Sequence, residues 1–142
     1  MNTCEFCHER FSHRNAAVRI CRDCYFSGAQ HDREHHDIMD RLNALPGVRA
    51  FMTHTGGGCF GLWIQCANGA VLFATTAFKA DDGTWDTDAQ IGQAGEPWAM
   101  GLYADEEAFA NGEMVWQDIL MPADDETLLA TVRGQAHAEV TR

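Results

Sequence analysis

Two pairs of cysteines set the terms for the first part of this 142-residue chain. Cys4 and Cys7 are two residues apart, Cys21 and Cys24 likewise, and thirteen residues separate the pairs. A two-residue spacer turns both sulfurs of a pair onto one ion, and four thiolates complete the tetrahedral shell of Zn²⁺. Thirteen residues are enough for a hairpin that brings the chain back to the same ion. The spacing therefore predicts one structural zinc ion on Cys4, Cys7, Cys21 and Cys24. A shell of four thiolates has no open position for a substrate, so such a site holds structure and does not catalyse. With the second pair at a helix start, the helix dipole adds favourable potential at the negatively charged sulfurs.

Three other uses of these cysteines each lack a requirement. Paired disulfides need an oxidising compartment, yet the first residues contain no apolar signal region. Cys4-Glu-Phe-Cys7-His8 matches a haem-attachment pattern, which needs export and leaves Cys21 and Cys24 unused. A redox dithiol needs a thioredoxin-like βαβ setting, and the flanking sequence does not supply one. No apolar run reaches the ~20 residues of a membrane span. The expected setting is reducing and cytoplasmic.

Beyond the cysteines, periodicity divides the chain into a zinc-binding module (1–27), a connecting helix (28–46) and an acidic α+β domain (47–142). Val18 to Ile20 alternates like a short strand running into Cys21. From Arg22 to Leu45 the pattern is helical, ended by Pro46-Gly47. Its apolar residues cluster at the two ends, and the stretch His31 to Asp37 is polar throughout. This predicts a long helix anchored at both ends and solvated in its middle, with too few central apolar positions for a coiled-coil seam. Strands follow at Val48–Thr55, Cys59–Ala67, Ala70–Phe78, Trp98–Tyr103 and Met114–Leu120. Asn68-Gly69 marks a hairpin between the second and third of them. Asp105 to Asn111 suits a short helix or turn closed by Gly112. Asp124 or Asp125 caps a last helix carrying Leu128, Leu129, Val132 and Ala136. The expected fold is α+β: a zinc module, a long helix, then about five antiparallel strands with a C-terminal helix.

The segment Cys4 to Ser27 resembles a treble-clef finger, in which a knuckle and a hairpin lead into a helix carrying the second cysteine pair. Its spacing, with Tyr25-Phe26 directly after Cys24, is similar to the first zinc module of nuclear-receptor DNA-binding domains. The resemblance implies a zinc fold. In that family the helix after the second pair reads DNA through Lys and Arg, whereas Ser27 to Glu34 offers one arginine and two acids here. The second zinc module of that family is also missing. The acidic, tryptophan-bearing second part resembles small uncharacterised proteins of actinobacteria and their phages; that resemblance carries no function with it, and for a phage-borne protein a host factor would be the natural partner.

Charge narrows the functional classes. The net charge is −11. Residues 1–50 hold seven basic and seven acidic residues, whereas residues 51–142 hold three and fourteen. Such a body argues against nucleic acid and anionic membranes as partners; docking on a basic protein surface and solubility alone account for it equally well.

Several candidate sites remain. His31 and His35 stand one helical turn apart, a near miss to H-E-x-x-H in which Asp32 replaces the expected Glu; a solvated helix face is the plainer account. His54-Thr55-Gly56-Gly57-Gly58-Cys59 places a thiol and an imidazole around a glycine loop able to cradle an anion. A glycine turn with a buried Cys59 is the plainer account there. Cys66 reads as a small core residue. Trp63, Trp85, Trp98 and Trp116, with Phe51, Phe60, Phe73, Phe78 and Tyr103, read as sheet core, with one or two free to anchor an interface. Asp81-Asp82, Asp86, Asp88 and Asp105-Glu106-Glu107 read as solvated turns without a complete Ca²⁺ pattern. No complete catalytic set emerges. The leading expectation is a non-enzymatic interaction protein. The alternatives are a nucleic-acid-associated regulator that uses the finger, and a small enzyme that uses Cys59 and His54.

Overall fold

A computed structural model describes residues 1–56, 59–79, 81–87, 91, 96–119 and 124–136. The order of elements is β1 (Asn2–Thr3), β2 (Arg10–Phe11), α1 (Arg22–Ser27), α2 (Ala29–Glu34), α3 (His36–Asn43), β3 (Arg49–Gly56), β4 (Cys59–Gln65), β5 (Val71–Lys79), β6 (Trp85–Thr87), β7 (Trp98–Tyr103), α4 (Glu106–Ala110), β8 (Met114–Ile119) and α5 (Asp125–Ala136). The fold is α+β, as expected.

The main sheet is antiparallel, with strand order β3-β4-β5-β7-β8. A short sixth strand, β6, extends it by pairing with the last residues of β5. Central β5 is thus shared: residues 71–76 face β7, and 77–79 face β6. Alternation divides the side chains between two faces. Phe60, Leu62, Ile64, Leu72, Ala74, Met100 and Leu102 point to one face and are buried against Ile38 and Leu42 of α3 and Leu128, Leu129 and Val132 of α5. Each such aliphatic side chain contributes about 1.5–3 kcal/mol when fully buried. The opposite face carries a smaller cluster in which Phe109 of α4 meets Trp63, Phe73 and Tyr103 at centroid distances of 4.7, 5.2 and 4.9 Å. Gly61 permits that packing, because a Cβ there would lie 2.1 Å from the Phe73 ring.

Local chemistry explains the joints. Between β4 and β5, Gly69 adopts a left-handed φ of 88° at the expected Asn-Gly turn. Asn68 accepts from the Ala70 N–H and donates to the Gln135 carbonyl (2.9 Å), tying the hairpin to the last turn of α5. Asp124, one of the two expected caps, accepts from the backbone and hydroxyl of Thr127. Asp105 caps α4 through the Ala108 N–H. At the sheet edge, the Asn43 amide accepts from Ala50 N–H (2.8 Å) and donates to Ala50 O (2.9 Å), taking the place of a neighbouring strand.

Two expectations are corrected. Val18–Ile20 forms no strand; the N-terminal ladder pairs β1 with β2 instead. The long helix is three short ones, broken at Gly28 and His35. Gly28 is left-handed (φ 78°), and a Cβ on it would stand 3.1 Å from the Phe60 ring. The break lets Tyr25, Phe26 and His31 all approach β3 and β4, with Tyr25 and His31 against Phe60 and Phe26 against His54. His35 is only 3% exposed and packs on Trp98, so the middle of this segment is not solvated throughout.

Gly28 and Gly112 separate backbone strain from packing, since both are left-handed but no atom lies within 4 Å of a Cβ at Gly112. Gly112→Ala is expected to cost about 1–2 kcal/mol from the left-handed backbone alone. Gly28→Ala should cost measurably more in denaturant unfolding, because the Phe60 ring must also move. Equal losses would mean that the Gly28–Phe60 approach contributes nothing.

Candidate metal centre

The four cysteines of the two pairs converge. Their Sγ atoms all lie within 4.8 Å of one another. Zinc–sulfur bonds of about 2.3 Å in a tetrahedron require sulfurs about 3.8 Å apart. Cys7 Sγ and Cys21 Sγ are separated by 3.8 Å. That distance is far beyond the ~2.05 Å of a disulfide, and all four cysteines are free thiols. The donor set and its spacing fit a tetrahedral thiophilic ion such as Zn²⁺.

Each half of the site is shaped by its own backbone. In the first half, β1 and β2 pair as Asn2↔Phe11 and Thr3↔Arg10 and enclose a turn. Within it, His8 N–H donates to Cys4 O and Cys4 N–H to Glu9 O, both at 2.9 Å. His8 takes a left-handed φ of 64°, a conformation that glycine adopts without a Cβ penalty. In the second half, Cys21 is the N-cap of α1, and its sulfur accepts from the Cys24 N–H. The halves are joined by Glu5 N–H to Arg19 O and by Cys21 N–H to Cys4 Sγ. Asn2, nearly buried, donates to the carbonyls of Asn15 (3.0 Å) and Val18 (2.7 Å), holding the intervening loop to β1.

The electrostatics suit a cation. Burial opposes ionisation of Cys4, but backbone N–H groups of Cys21, Cys7 and Phe6 outweigh it and bring its thiol down to about 6. Cys24 is pushed up to about 12 by burial and by the three neighbouring sulfurs. The backbone hydrogen bond from Glu9 and the Cys24 sulfur pull the Cys7 thiol down, but desolvation and the sulfurs of Cys4 and Cys21 outweigh them and leave it raised. Four thiolates cannot crowd together without a positive charge between them.

The four-cysteine segment is fastened to its surroundings by Arg33 of α2. Its guanidinium lies 3.9 Å from the Phe6 ring centroid, and it donates to the Glu5 carbonyl at 3.2 Å. This ties α2 to the turn that carries the first cysteine pair.

The other candidates fare differently. His31 and His35 remain one turn apart, joined by His35 N–H to His31 O, but among the described residues no third ligand accompanies them. Burial, and then the charge of His35, lower the His31 pKa. Both rings pack on aromatics, at 5.0 Å to Phe60 and 5.3 Å to Trp98. His54 is exposed and lies beside Phe26 and Phe60. Gly57, Gly58 and the side chain of Cys59 lie outside the described residues, as do Asp88 and the side chains of Trp85, Asp86 and Phe78. Cys66 is buried in the core, and burial pushes its thiol up to about 11. Trp98, Phe60 and Tyr103 are buried; Trp63, Trp116 and Phe73 are half-buried; Phe51 is exposed. Asp82 closes its turn onto Thr84. The supporting roles of Asn2 and Arg33 escape a sequence reading, because each depends on contacts more than ten residues away.

No protein-family model, curated protein or solved structure matches this chain.

Zinc uptake near neutral pH is expected to release the protons of Cys7 and Cys24, so affinity should fall as pH falls. Calorimetry in buffers of different ionisation enthalpy measures that release; a buffer-independent heat would contradict it. At the left-handed turn, His8→Gly should be tolerated with zinc content unchanged. His8→Val should cost about 1–2 kcal/mol, read by chelator competition or unfolding.

Proposed function

We propose that this protein is a small interaction protein without catalytic activity, organised by one structural zinc ion in a treble-clef-like finger. The observation that carries this reading is the convergence of Cys4, Cys7, Cys21 and Cys24 to sulfur separations suited to a closed tetrahedral shell. An all-thiolate shell is saturated by the protein and offers no place for a substrate or an activated water. The turn, the short hairpin and the helix capped by Cys21 support the treble-clef reading. The metal would be held by these four residues and would supply structure, coupling folding of the finger to binding.

The partner is a protein, of a kind that tolerates a strongly acidic body. A charge of −11 disfavours nucleic acid and anionic lipid, and it speeds encounter with a basic surface. Among the described residues no helix is long and apolar enough to cross a membrane. Cysteines held as metal-binding thiolates suit the reducing cytoplasm.

Native mass spectrometry with and without a strong chelator tests this reading. One zinc per chain is expected, with chelation unfolding the finger and leaving the sheet. Cys7→Ser or Cys24→Ser should lose most of the zinc, whereas Cys66→Ala should keep it. A second tightly held metal that depends on His31 and His35 would overturn the single-site account. A metal-free protein that keeps its finger folded would overturn the zinc reading altogether.

A further inference from the structure

The four ligands of the metal centre are not equally reachable. Cys4 is fully buried, Cys21 and Cys24 are half-buried, and Cys7 is exposed. Cys7 sits in the turn between β1 and β2, and Cys21 stands at the start of α1, yet their Sγ atoms are 3.8 Å apart. The thiolate, and not the thiol, attacks an oxidant, and a bound metal keeps its cysteine ligands ionised at neutral pH. The centre therefore turns one ligand towards solvent and holds a second sulfur in contact with it. Cys66 has neither property: it is 3% exposed, and burial pushes its thiol up to about 11.

We propose that Cys7 is a site of oxidation by hydrogen peroxide and related hydroperoxides, and that its oxidation closes a Cys7–Cys21 disulfide and releases the metal. The inference rests on the zinc reading of the proposed function and adds the chemistry that opens that site. In the first step the Cys7 sulfur attacks one peroxide oxygen; an S–O bond forms, the O–O bond breaks and hydroxide leaves. In the second, the Cys21 sulfur attacks the sulfenic sulfur of Cys7; the S–S bond forms, the S–O bond breaks and a second hydroxide leaves. The two thiolates have then lost two electrons, which the peroxide has gained, and both hydroxides take up protons as water. The sulfurs need only close from 3.8 Å to the disulfide length of about 2.05 Å.

This pairing decides the consequence. A disulfide within one cysteine pair would leave the other pair chelating as a unit. The Cys7–Cys21 bond takes one ligand from each pair, and the remaining Cys4 and Cys24 cannot fill a tetrahedral shell. Loss of the metal then reaches the fold of this segment. Among residues 1–34 only Asn2, Cys4 and Gly28 are buried, and α1 and α2 bury no side chain, so little besides the sulfur cluster holds them. The sheet core begins at Ile38 and includes none of these four cysteines. Oxidation thus loosens the four-cysteine segment and spares the sheet.

The test uses the full chain, confirmed to carry one zinc, and excess hydrogen peroxide sampled over time. A chromogenic chelator reads the released zinc, and mass spectrometry of unreduced digests maps the disulfide. Zinc should leave in step with disulfide formation, Cys7–Cys21 should be the first bond, and Cys66 should still be reduced when the zinc has gone. Dithiothreitol with added zinc should restore the metal content. Hydrogen exchange should quicken at the amides of α1 and α2 in the oxidised protein and stay slow in β4 and β5. Cys7→His keeps a tetrahedral set of three cysteines and one histidine without the exposed thiolate, and should slow zinc loss to peroxide about tenfold or more. Should that variant fail to bind zinc, the disulfide map of the unaltered chain decides. The inference is overturned if zinc stays bound after Cys66 is oxidised, if a different disulfide forms first, if α1 and α2 exchange unchanged, or if zinc-loaded Cys7→His releases its metal as fast. Zinc that is present but indifferent to peroxide leaves the proposed function standing, whereas absence of zinc removes both.

Discussion

Everything at the N-terminal end depends on four sulfurs meeting. Among residues 1–34 only Asn2, Cys4 and Gly28 are buried, and α1 and α2 bury no side chain. A segment with so little buried apolar surface cannot repay its conformational entropy by burial alone. Its long-range hydrogen bonds are few, and the Cys4 and Cys21 sulfurs themselves accept backbone N–H groups. A metal–thiolate centre would replace the missing core and neutralise the charge that otherwise drives the four thiols apart. The same economy leaves Tyr25 and Phe26 on the surface, because nothing about folding this segment requires them inside.

The rest of the chain is held differently. Its sheet packs the centre of one face under α3 and α5, and the other face is partly covered by α4. The coupling between the two parts runs through Phe60, which is fully buried yet touched by Tyr25, His31 and His54. Gly28 allows that contact, since the helix breaks in a left-handed conformation where a side chain would strike the ring. The finger is thus seated on the sheet through aromatic packing, and Arg33 links α2 back to the first cysteine turn. Loss of the metal would therefore be felt first in the finger and only weakly in the sheet, whose core includes no residue before Ile38.

What was legible in the sequence follows from how local each signal is. The cysteine spacing, the Asn68-Gly69 hairpin and the Asp124 cap are decided within a few residues, and each is found where its local chemistry puts it. Five strands were readable from alternation, whereas β6 is three residues long and exists only because β5 continues past β7. The breaks at Gly28 and His35 were not readable. A single glycine in a polar helical stretch is compatible with an unbroken helix, and only the distant Phe60 and Trp98 decide otherwise. In the same way His35 looks solvated by its neighbours in sequence but is buried by its neighbours in space. Of the site, the ligands could be read from the chain, but Asn2 and Arg33, which hold the loops around them, could not.

Charge and metal together divide the labour within the chain. The acidic excess lies wholly in residues 51–142, whereas residues 1–50 balance seven basic residues against seven acidic ones. A uniformly acidic molecule would repel acidic partners and attract basic ones indiscriminately. A backbone pinned at Cys4, Cys7, Cys21 and Cys24 would fix α1, and with it the exposed Tyr25 and Phe26, beside the sheet. The metal centre would then keep in place a surface that burial alone would not preserve.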